Sequence, residues 1–188
     1  MKVAFLVADM FEQAELEQPL HAVREQGWTP ELVSLEEGEV RAFEHFEPAD
    51  SFPVDTTVEE ACADDHEALV LPGGVGNPDQ LRGDEKAVAF VRAFFEHGKP
   101  VAAIRHAPWT LVEAAVVLDR TLTSWPTLRT DIPNAGGNWV DEEVHVDNGL
   151  VTSRKPDDLP AFCAKLVEAF REGPHAGQRA GAGEAVPT

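Results

Sequence analysis

Basic side chains are scarce in this chain. Lys and Arg together number 15 against 34 Asp and Glu, a formal net charge of −19. A surface this acidic repels phosphate backbones, and no basic run offsets it, so a nucleic-acid partner is not expected. Cysteine is nearly absent: only Cys62 and Cys163 occur. Nothing in the sequence pairs them, and free thiols in a reducing cytoplasm are expected. No run of about 18 apolar residues exists, which leaves no candidate for a membrane-spanning helix. The apolar start, residues 1–8, is too short for a signal peptide and acidic residues follow at once. Ligand spacings such as His-x-x-x-His are missing, and so are Walker and Gly-x-Gly-x-x-Gly loops after a strand. Gly73-Gly74-Val75-Gly76 has the wrong spacing for a phosphate loop. No metal and no cofactor are therefore expected, and no internal repeat is found.

What remains is ordinary for one globular domain: 188 residues, 43% hydrophobic and 26% charged. Short continuous apolar runs at residues 2–8, 68–71 and 101–104 read as strands buried on both faces, as in a parallel sheet. Residues 30–34 and 121–125 add two more. Apolar residues at helical spacing mark helices over 12–26, 85–97, 109–117 and 158–171, and residues 58–63 form a short one. Residues 36–57 read as extended pieces and turns, with room for a small inserted hairpin. Residues 143–153 form a hairpin about Asp147-Asn148-Gly149. Asp157 or Asp158 caps the last helix. The alternation predicts an α/β fold, a flavodoxin-like three-layer sandwich with a mostly parallel central sheet and helices on both faces. The domain spans residues 1–172, and the Gly/Ala/Pro-rich stretch 173–188 is expected to be a disordered tail.

Sites in such sheets lie beyond the carboxyl ends of the strands. Three strand ends carry unusual residues: Asp9 to Glu15, Pro72 to Gly76, and Ile104-Arg105-His106-Ala107-Pro108. The third joins a buried strand to a helix with almost no loop, and Pro108 suits a helix's first turn. That is the pattern of a nucleophile elbow, which presents one side chain at a strained turn beside backbone N–H donors. The plain alternative is a β-α turn whose glycines only relieve crowding.

Phe11-Glu12-x-x-Glu15-Leu16-x-x-Pro19, Ala68-Leu69-Val70-Leu71-Pro72-Gly73-Gly74, and Lys99-Pro100-Val101-Ala102-Ala103-Ile104 leading to His106 form a specific combination. Thr123-Ser124-Trp125-Pro126, Asn134-Ala135-Gly136 and Thr152-Ser153-Arg154-x-Pro156-x-Asp158-Leu159 complete it. In these motifs residues 1 to about 171 resemble the PfpI intracellular protease and Parkinsonism-associated deglycase superfamily, related in fold to class I glutamine amidotransferases. The resemblance implies a reactive cysteine before the histidine, a glutamate matching Glu15 bonded to it, and oxyanion donors matching the Gly74 and His106 N–H groups. Ala107 follows in the same turn. It also implies a homodimer or larger ring. This chain has Arg105 where the resemblance expects the cysteine, so its cysteine hydrolase or glyoxalase type is expected without that cysteine.

A guanidinium has five donors, no acceptor and a permanent charge, so Arg105 cannot attack a carbonyl. Beside it Glu15 is expected to ionise and to form an ion pair, bidentate if the geometry allows, with Glu12 as a second partner. Glu12 also reads as a first-turn acid favouring the helix dipole. His106 is given a positional role ahead of a catalytic one. Three functions follow. One is a stress-related family member with thiol chemistry lost or very weak. Another is a small-anion or metabolite binder using Arg105, His106 and the Gly74 amide. The third is an enzyme of altered chemistry on small carbonyl compounds with Glu15 as base.

Overall fold

β1 (Lys2–Leu6) is apolar and buried from Val3 onward because it has a helix layer on either side, so neither face can be polar there. After it come the two-residue β2 (Phe11–Glu12), α1 (Gln13–Glu25) and β3 (Thr29–Ser34). The expected inserted hairpin is present as β4 (Glu39–Glu44) and β5 (Glu47–Pro53), followed by β6 (Thr56–Thr57). Then follow β7 (Ala68–Leu71), α2 (Gly76–Arg82), α3 (Glu85–Glu96), β8 (Val101–Ile104) and α4 (Pro108–Glu113). The last elements are β9 (Thr121–Leu122), α5 (Asp131–Asn134), β10 (Asn138–Trp139), β11 (Val144–Asp147), β12 (Leu150–Ser153) and α6 (Leu159–Glu172). The computed structural model describes residues 1–181.

The central sheet has seven strands in the order β11-β12-β8-β7-β1-β3-β6, parallel except for the edge pair β11–β12. Its alternating side chains feed two cores. Leu6, Leu69, Leu71 and Ala103 pack with Phe90, Phe94 and Phe95 of α3 and Leu111 of α4. Phe5, Val70 and Ile104 pack with Leu16 of α1 and Phe162, Leu166 and Phe170 of α6. Helix, sheet, helix is the flavodoxin-like three-layer sandwich. A second sheet, β2-β4-β5, sets the hairpin beside the start of α1.

Several local expectations are corrected. Residues 58–63 are not a helix: a turn leads to a 3-10 turn, Ala63–Asp65. The strand expected at 121–125 stops at Leu122 and pairs with β10 in a separate small sheet. α2 was not expected; its Pro78 lies in the first turn, where its missing N–H costs nothing. Asp158 stands at the N-cap of α6 without capping it. Its carboxylate instead accepts from Arg154 N–H at 3.2 Å, Nε at 2.9 Å and Nη2 at 3.1 Å.

Within the stretch expected to be a disordered tail, His175 and Gln178 make specific contacts; residues 182–188 lie outside the described residues. After α6 the His175 N–H donates to the Gly98 carbonyl at 2.8 Å. The fully buried Gln178 accepts from Arg120 Nη1 at 3.1 Å through its side chain, and from Arg120 Nη2 through its carbonyl. Gln178 Nε2 donates to the Lys99 carbonyl at 3.2 Å. The segment has little apolar surface to bury. What holds it is hydrogen bonding of Gln178 to the buried Arg120 guanidinium through both of its Nη groups, a contact that composition does not reveal. Ending the chain at Glu172 is therefore expected to lower the unfolding free energy by about 1–3 kcal/mol, read from urea denaturation. Gln178→Ala should reproduce most of that loss, and unchanged midpoints in both would show the contact to be dispensable.

Candidate functional site

β8 ends at Ile104 and the chain turns at once into α4 through Arg105, His106 and Ala107. Arg105 has φ +64°, a left-handed conformation that costs a non-glycine residue about 1–2 kcal/mol. Two backbone bonds hold it there. Its N–H donates to the Ser153 carbonyl at 3.0 Å, and its carbonyl accepts from Trp125 N–H at 2.8 Å. The sharp turn expected from the sequence is therefore present, with Arg105 at its apex.

The turn after β7 runs against it. A Cβ added at Gly73 would come within 2.7 Å of both Arg105 Cβ and the Ile104 carbonyl. Gly74, at φ +86°, lies where a Cβ would approach the Met10 carbonyl to 2.5 Å. Only glycine permits this closeness. Asn77, which the sequence did not single out, fixes the turn from beneath. It is fully buried, donates to the Pro72 and Gly73 carbonyls at 2.8 and 3.1 Å, and accepts from Ala8 N–H at 2.7 Å.

Two glutamates meet Arg105. Its Nη1 lies 2.6 Å from Glu12 Oε2 and 3.7 Å from Glu15 Oε1. The tight partner is thus Glu12, and the expected Arg105–Glu15 pair is loose and not bidentate. Glu12 precedes α1 but does not cap it. Its carboxylate turns to the hairpin, accepting from His45 N–H at 3.2 and 3.3 Å. Glu15 is fully buried and accepts from Gly73 N–H at 2.9 Å. Burial pushes its carboxyl up to about 8, against the opposing pull of Arg105 and with a further push from Glu12. Desolvation thus works against the expected ionisation of Glu15, and the guanidinium's nearest carboxylate is another residue.

His106 is buried, stacked on Trp125 at 6.0 Å and near Trp109 at 5.1 Å. Its Nε2 reaches Thr127 Oγ1 only at 3.4 Å and Nδ1 has no partner. Burial, helped by Arg105, depresses its pKa to about 4, so the ring is neutral. Ala107 is buried, and its N–H is occupied by the Ile104 carbonyl at 3.1 Å. Trp125 also lies under the Arg105 guanidinium at 5.4 Å. That Trp109 and Trp125 are neighbours of His106 is apparent only in the fold.

The expectation that the chain lacks the cysteine is corrected by its two free thiols, Cys62 and Cys163. Cys62 is exposed and precedes the 3-10 turn. Cys163 lies on α6, where burial pushes its thiol up to about 11. Neither lines the cavity beside Arg105. Among the described residues no group of three His, Cys, Asp or Glu side chains could hold a metal, and no helix is long and apolar enough to cross a membrane.

A flavodoxin-like sandwich with a sharp strand-to-helix turn, a buried glutamate beneath it and a glycine turn alongside defines a class of protein. The model of the DJ-1/PfpI family matches residues 1–169, and the chain belongs to that family. It is 42% identical over 171 residues to Deglycase TK1284 of Thermococcus kodakarensis, covering 91% of this chain and 100% of that one. It is 41% identical over 162 residues to Protein/nucleic acid deglycase 2 of Escherichia coli, covering 86% and 92%. Among solved structures, a two-domain protein of Anabaena variabilis with DJ-1/ThiJ/PfpI-like and ferritin-like domains matches at 30% identity and a TM-score of 0.85. That match covers 91% of this chain and 50% of the longer one.

Proposed function

We propose that this chain is a single-domain DJ-1/PfpI protein over residues 1–172, with Arg105 in the nucleophile position. Thiol-dependent deglycase, glyoxalase or peptidase chemistry is then lost or very weak at that site. One observation carries the reading. The side chain at the apex of the elbow is a guanidinium held 2.6 Å from Glu12; it has no lone pair to attack a carbonyl and no base can supply one. Relatives named as deglycases support the surrounding scaffold as one built for small carbonyl compounds. A cytoplasmic, stress-related role and self-association as a homodimer or larger homo-oligomer belong to the same proposal.

A second reading, small-anion binding, is favoured by the cavity of about 260 Å³ that Arg105 lines with Gly74, Val75 and Gly76. Reading Glu15 as a general base fares worse. Its raised pKa suits the task, but the carboxyl is fully buried and does not line that cavity.

The test is methylglyoxal consumption by this protein and by Arg105→Cys, with both folds checked by circular dichroism. Turnover only in the cysteine variant is the expected result. Turnover by the arginine form would overturn the proposal. Turnover by neither, with both folded, would move anion binding to the front.

A further inference from the structure

The cavity beside Arg105 has an unusual mouth. Six large hydrophobic side chains are exposed among the described residues, and three of them, Met10 at 45%, Phe46 at 88% and Val75 at 47%, line this one opening. Phe43 completes the apolar wall. Apolar residues scattered singly need no explanation, but a cluster around one opening does. The backbone is strained at the same place. Met10, His45 and Arg105 all have positive φ and all line the cavity. Strain of this kind persists where the surrounding fold over-determines it, and it concentrates at ligand sites.

The floor is charged and under-used. Arg105 has five N–H donors, of which one is given to Glu12 at 2.6 Å, while its Nε is buried with no partner. An unspent guanidinium in a partly desolvated site recognises a carboxylate through paired N–H···O bonds. The volume of about 260 Å³ corresponds to about nine water molecules, enough for a ligand of about ten non-hydrogen atoms.

We propose that this cavity binds a small monocarboxylate with an apolar body, the carboxylate on Arg105 and the body against Met10, Phe43, Phe46 and Val75. This rests on the anion-binding reading of the site and adds the class of ligand. A doubly charged inorganic anion would satisfy the arginine and leave the apolar wall wet. A neutral hydrocarbon would cover the wall and leave the arginine unspent.

Isothermal titration of the full chain with phenylacetate, acetate, phosphate and 2-phenylethanol tests it. Phenylacetate is expected to bind at least about tenfold more tightly than acetate, from the apolar area its ring buries, and more tightly than the alcohol. Phe46→Ser, at an exposed position that does not threaten folding, should weaken phenylacetate severalfold and leave acetate unchanged. Arg105→Leu should abolish the preference for phenylacetate over 2-phenylethanol. If acetate or phosphate binds as well as phenylacetate, the apolar-body claim falls and anion binding stands. If no anion binds, both fall. If phenylacetate fails while Phe46→Ser shifts the sedimenting species to a smaller one, the mouth is covered by a second copy of the chain and the proposal is overturned.

Discussion

Glu12→Gln is expected to destabilise the protein by about 2–4 kcal/mol, with the loss read from urea midpoints at neutral pH. Glu12 and the Arg105 side chain are both mostly withdrawn from water, at 6% and 15% exposure, and lie 2.6 Å apart. Removing one member of such a pair strands the other charge, which costs about 3–5 kcal/mol when burial is complete. The residual exposure of Arg105 lowers the figure. Nothing nearby replaces the lost charge cheaply. Glu15 can ionise toward Arg105 only against its own burial. Glu12→Gln/Arg105→Met removes both charges. That double variant should recover most of the stability, because replacing a buried pair by apolar volume is close to neutral. If Glu12→Gln costs less than about 0.5 kcal/mol, the pair is solvated in practice and the picture of a locked elbow is wrong.

The layers of this fold were legible because burial on two faces leaves a signature in composition. β1, β7 and β8 are short apolar runs, and α3 repeats apolar residues at helical spacing, so strand and helix types followed. Short or punctuated elements were not legible. α2 begins at Gly76 and contains Pro78, and β9 has two residues, too few for any periodicity. The site divided the same way. The sharp turn was visible as strand, Arg105-His106-Ala107, then Pro108, whereas the close approach of Gly73 and Gly74 needed the fold. Which glutamate takes the guanidinium was not visible. Glu12 and Glu15 are both near the start of α1, and their order of preference depends on depth. Glu15 lies deeper, where Gly73 N–H is its donor, and Glu12 faces the hairpin that only the fold brings over the site. The contacts of the tail were not legible for a related reason. Gln178 binds through polar groups, which hydrophobic patterning cannot weigh.

Stability should fall by about 1.5 kcal/mol between pH 6.5 and 8, and Glu15 is the cause. Its folded-state pKa is near 8 against an ordinary 4.5. Across that interval the native state holds a proton that the unfolded state has released, so the unfolding free energy drops by about 1.4 kcal/mol per pH unit. This contribution is fully present below pH 4.5 and lost by pH 8. His106 works in the opposite sense. Its folded pKa is near 4 against 6.5, so from pH 4 to 6.5 the unfolded state holds the extra proton and stability rises with pH. The two slopes oppose each other between pH 4.5 and 6.5 and leave that stretch nearly flat. The net decline is thereby confined to pH 6.5–8. Glu15→Gln, which cannot ionise, should remove the decline and uncover the rise below pH 6.5. The wild-type minus variant difference should change by on the order of 4–5 kcal/mol from pH 4.5 to 8. Urea denaturation at half-unit steps from pH 4.5 to 8.5 measures both curves, with m-values checked for constancy. A wild-type curve parallel to that of Glu15→Gln would mean that Glu15 is ionised in the folded protein, and that Arg105 holds two carboxylates rather than one.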